Sequence, residues 1–82
     1  MTLEYKLKKA ALFAAVELTL RRMRRSPERC ARNLIELGIA AFPGKIQKNE
    51  VNATYHEFLS ICQNADAEAA RELFFKVFAH TD

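Results

Sequence analysis

Residues 3–25 contain neither glycine nor proline, and they carry apolar side chains on two opposite faces of one helix. At about 100° per residue, Leu3, Leu7, Ala10, Ala11, Ala14 and Leu18 fall on one side. Tyr5, Leu12, Phe13, Val16, Leu20 and Met23 fall on the other. Narrow polar strips separate the two faces: Glu4, Lys8, Thr19 and Arg22 on one flank, Lys6, Glu17 and Arg24 on the other. A helix that is apolar nearly all round is stable when it is buried nearly all round. One face meets the rest of the fold. The second needs either a central place in that fold or a partner. Association is the reading we carry forward, with the larger, partly aromatic face as the expected dimer interface. Tyr5, Leu12, Val16, Leu20 and Met23 are its candidate residues. Lys9 sits amid that face and reaches its edge by snorkelling. The competing arrangement places this helix at the centre of a monomer, covered by the others.

The rest of the chain reads as three further helices. Ser26-Pro27-Glu28 is a restart signal: a good N-cap, a proline suited to the first helical position, and an acid for the first turn. A first helix from Leu3 to Arg25 is therefore followed by a second from Pro27 towards Leu37 or Phe42. Cys30, Ala31, Leu34, Ile35, Leu37, Ala41 and Phe42 share its apolar face. Gly38 either ends this helix as its C′ glycine or lies within it and permits close packing. Phe42-Pro43-Gly44 stops it in either case. Asn49-Glu50 reads as the cap of a third helix reaching Gln63, with Val51, Tyr55, Phe58, Leu59 and Cys62 as its stripe. Asp66 caps a fourth helix to Ala79, lined by Ala70, Leu73, Phe74, Val77 and Phe78. Phe75 lies off that stripe and joins the candidate interface residues. Short links favour antiparallel neighbours. The expected fold is all-α, a compact antiparallel bundle or array of four helices in one domain spanning residues 1–82.

A chain of 82 residues buries roughly 60–65% of its extended surface, so its stability margin is narrow and oligomerisation is a common remedy. The two cysteines, Cys30 and Cys62, each fall on an apolar helical face. We read them as reduced core residues and not as a disulfide or a zinc site. Lys6, Lys8 and Lys9 precede the apolar run from Ala10 to Val16, but Glu17 cuts that run short and no small-residue cleavage site follows. The run is also too short to span a bilayer. Its two apolar faces do not suit an interfacial helix, which needs one strongly polar face. The expectation is a cytoplasmic protein with no membrane role.

No arrangement of residues points to catalysis. His56 and His80 have no nucleophile near them in sequence, and adjacent Glu57 does not face His56 on a helix. Metalloprotease, EF-hand, P-loop and dinucleotide motifs are missing from the sequence. We expect no catalytic residues, no cofactor and no metal.

Charge is the remaining signal. Residues 1–32 carry nine Lys and Arg against three Glu, a balance of +6, whereas residues 33–82 carry four bases against seven acids, a balance of −3. Arg21, Arg22, Arg24, Arg25, Arg29 and Arg32 crowd into twelve residues around the first interhelical turn. Guanidinium groups bind phosphates bidentately, so this corner is a candidate nucleic-acid contact. No aromatic residues alternate with the arginines to stack on bases, and no helix-turn-helix is evident. A non-enzymatic regulatory or adaptor module that self-associates, with a protein partner as a further possibility, is the main expectation. Nucleic-acid binding through the arginine cluster is the alternative.

Overall fold

A computed structural model describes the backbone of residues 3–79 and the side chains of residues 9–79. The chain is all-α, with four helices and no strand among the described residues. Helix α1 spans Leu3–Leu20 and α2 spans Pro27–Ala41. A 3-10 turn at Lys48–Glu50 leads into α3, Val51–Gln63. Helix α4 spans Ala67–Phe74 and widens into a π-helical segment, Phe75–Ala79.

The helix starts follow local chemistry. Ser26 caps α2 and accepts from the Arg29 amide at 3.4 Å, with Pro27 in the first turn. Asp66 caps α4 and accepts from the Ala69 amide at 3.0 Å. The start of α3 is tighter than expected from Asn49-Glu50. Glu50 closes the preceding 3-10 turn, its carboxylate accepting from the Gln47 amide at 2.8 Å. The end of α3 is a Schellman motif: the Ala65 amide donates to the Cys62 carbonyl and the Asp66 amide to the Ile61 carbonyl. That geometry puts Ala65 at φ +53°, the left-handed region where glycine is usual.

Helix α1 ends at Leu20, one turn and more before the expected Arg25. Residues 21–25 wind on as tight turns, with the Arg22 amide bonded to the Thr19 carbonyl, Met23 to Leu20 and Arg25 to Arg22. These i→i−3 bonds tighten the chain, and within the tightened segment Met23 is buried in the core, 2% exposed. Arginine propensity alone would have continued the helix. Burial of Met23 accompanies the change of winding.

One apolar cluster runs through the bundle. Val16, Leu34, Phe58, Phe74 and Phe78 are fully buried within it, joined by Leu20, Met23 and Ile35. The Phe74 and Phe78 rings lie 5.2 Å apart. Helices α2 and α3 pack most extensively, and α1 lies against α2 and α4. Gly38 lies inside α2 and does not end it. The Phe78 ring seats directly on its Cα, and a Cβ there would overlap the ring.

Candidate functional surfaces

The inner face of α1 is the larger one. Val16, Leu20 and Met23 are buried within the single chain, and Leu12 is half-buried against the same cluster. Their assignment to a surface between two chains is therefore corrected: they fill this chain's own core. Burial scales with apolar area, so turning the bulkier face inward removes more of it from water. The difference in side-chain volume is visible in the sequence, but it marks the face that the chain buries itself and not a dimer interface. Tyr5 lies outside the described side chains. Phe75 is also engaged within the chain, half-buried, with its ring 4.9 Å from Phe13 and edge-on to Phe74 at 5.2 Å.

The outer face of α1 carries the small residues. Ala10, Ala11 and Ala14 are exposed, and Leu18 is 59% exposed. Lys9 is exposed too, its ammonium 6.0 Å from the Phe13 ring centroid. Between α1 and α2 this face descends into an open groove of about 450 Å³. Ala15, Leu18, Leu37 and Ala40 line it, with Arg22 and Glu36 also on its walls. A second concavity, about 430 Å³, lies between α2 and α3 around Ile35, Ile39, Val51 and Tyr55.

Glu17 and Arg71 tie α1 to α4. Arg71 donates through Nε and Nη2 to the two carboxylate oxygens, each at 2.8 Å. This bidentate contact holds the Glu17 carboxyl below the usual carboxylate range, against an opposing effect of burial. Both side chains are more than a third exposed, so solvent screens the pair.

The arginine cluster does not form one uniform patch. Arg21, Arg22, Arg24, Arg25, Arg29 and Arg32 are all exposed. Arg22, Arg25 and Arg29 converge on a notch of about 210 Å³, together with Thr19, Ser26 and Asn33. Arg32 faces the α2–α3 concavity instead. Arg21 and Arg24 line none of these three hollows.

Behind the notch, Cys30 donates through Sγ to the Thr19 carbonyl at 3.4 Å. The two cysteines, far apart in sequence, are neighbours in the core and are unbridged. Cys30 beside it, with burial, pushes the Cys62 thiol up and keeps it protonated. Among the described residues no group of three or more His, Cys, Asp or Glu is placed to hold a metal, and no helix is long and apolar enough to cross a membrane. No family model, curated protein or solved structure matches the chain.

Proposed function

We propose that this chain is a small non-catalytic helical interaction module, regulatory or adaptor in role, that forms a homodimer through the outer face of α1. The observation that carries this reading is Leu18, 59% exposed on the helical face where Ala10, Ala11 and Ala14 are exposed with it. Small residues let a second helix approach closely, and the groove beside Leu18 gives that helix a place to lie. The groove walls carry one base and one acid, Arg22 and Glu36. A twofold axis sets a patch against its own copy, so it can bring Arg22 of one chain to Glu36 of the other. The occupant is thus a second copy of the chain.

Size-exclusion chromatography with light scattering, at low and at high salt, tests this. The expected result is a salt-resistant dimer for the native chain and a helical monomer for Leu18→Glu. A native chain that stays monomeric at high concentration would overturn the proposal.

A further inference from the structure

We propose that the notch formed by Arg22, Arg25 and Arg29 is a phosphate-binding site for the backbone of a nucleic-acid duplex. Three arginines line one small hollow, and among the described residues no carboxylate lines it with them. None of the three makes an ion pair with any described residue. Like charges gathered this closely repel one another, and an anion between them relieves the repulsion. Two other polar groups in the notch suit an oxyanion: the Ser26 hydroxyl, which accepts from the Arg29 amide and keeps its own hydrogen, and the Asn33 amide can both donate to it, whereas the Thr19 hydroxyl donates to the Ala15 carbonyl. The guanidinium fork matches two oxygens of one phosphate.

The surroundings select the kind of phosphate. Arg24 is exposed on the same turn, between Arg22 and Arg25, and is not paired with a described residue. A single phosphate uses the notch alone, whereas a row of phosphates uses this neighbouring cation as well. Residues 21–36 include no Phe, Tyr or Trp. A single strand would therefore find no ring to stack on. A duplex offers its phosphates outward and needs no stacking, so it fits a surface that carries charge alone. Such contacts hold the backbone without reading bases.

Fluorescence anisotropy with a short labelled DNA duplex tests the site across a salt series. The informative variant is Arg25→Ala with Arg29→Ala. It leaves Arg22, which also lines the α1–α2 groove, so the oligomeric state stays readable beside it. The native chain should bind with a steep salt dependence. The double variant should bind at least about tenfold more weakly, with a log–log salt slope shallower by about 2, since each lost phosphate contact removes roughly 0.9. Arg25→Lys with Arg29→Lys keeps charge but loses the fork, and should fall between the two. Replacing Lys48 and Lys76 with Ala, two cations removed elsewhere, should change affinity about twofold or less, against about tenfold for the notch variant. Circular dichroism checks that each variant is folded. Three results would overturn the proposal: no salt-dependent binding by the native chain, equal binding by the double alanine variant, or tighter binding of a single-phosphoserine peptide than of the duplex.

Discussion

Val16 and Leu18 stand two residues apart on α1, yet Val16 is fully buried and Leu18 is 59% exposed. Both are aliphatic and both belong to apolar helical faces. Residue type does not separate them. What does is the company each keeps: Val16 shares its face with Tyr5, Leu12, Phe13, Leu20 and Met23, of which Phe13 stays 41% exposed at the edge, and Leu18 shares its own with Leu3, Leu7, Ala10, Ala11 and Ala14. The face with more side-chain volume fills the core, and the face with less is left at the surface, where its flatness suits a neighbouring helix. Apolar periodicity identifies faces that seek burial. Volume decides which of them the chain buries by itself.

Substitutions on the two faces should break that symmetry sharply. Val16→Glu places a carboxylate among Phe58, Phe74 and Leu34 without a partner. The cost of burying it exceeds the roughly 5 kcal/mol available to a small domain. We expect no cooperative melt by circular dichroism, and a folded variant would show that the inner face is looser than described. Gly38→Ala comes next. Alanine in an exposed helix gains close to 1 kcal/mol over glycine, but here the Phe78 ring occupies the space. We expect a net loss of about 1–3 kcal/mol in urea unfolding, and a gain would mean that the ring moves aside freely.

Ala65→Gly should act in the opposite direction. It relieves a left-handed residue at the end of α3 and should add about 1 kcal/mol. An unchanged denaturation midpoint would argue against the strain. This variant also gives a firmer background for testing the outer face. In that background Leu18→Glu should leave the stability of the single chain within about 0.5 kcal/mol while abolishing the dimer. Loss of folding instead would place Leu18 in the core.

The smallest effect belongs to Glu17, on the boundary between the two faces. Its folded-state carboxyl titrates below its ordinary 4.5. The stabilisation from Arg71 is therefore present above about pH 4.5 and is lost as the pH falls through the lowered value. The difference between the native chain and Glu17→Gln in urea midpoint should shrink on acidification. A difference that stays constant with pH would remove the ion pair from the account.

Much of the fold was legible because its signals are local. Ser26-Pro27 and Asp66 cap helices through their own side chains and neighbouring amides, and short-range chemistry of that kind is written in adjacent letters. The features that escaped are tertiary. The end of α1 coincides with burial of Met23, and the role of Gly38 depends on Phe78, forty positions away. The candidate surfaces divide in the same way. The arginine cluster was visible as composition. Its sorting into a notch of three, one arginine facing elsewhere and two in no hollow required the turn of residues 21–25, whose course no propensity encodes.

The seating of Phe78 on Gly38 also bears on how this chain can drift. A position with no side chain, covered by an aromatic ring, admits one amino acid for as long as the ring stays. Any enlargement at residue 38 must arrive with a reduction at residue 78, and the two changes should be harmful singly and tolerated together. In the descendants of this chain, positions 38 and 78 should therefore be inherited as a pair, whatever happens to the surface between them.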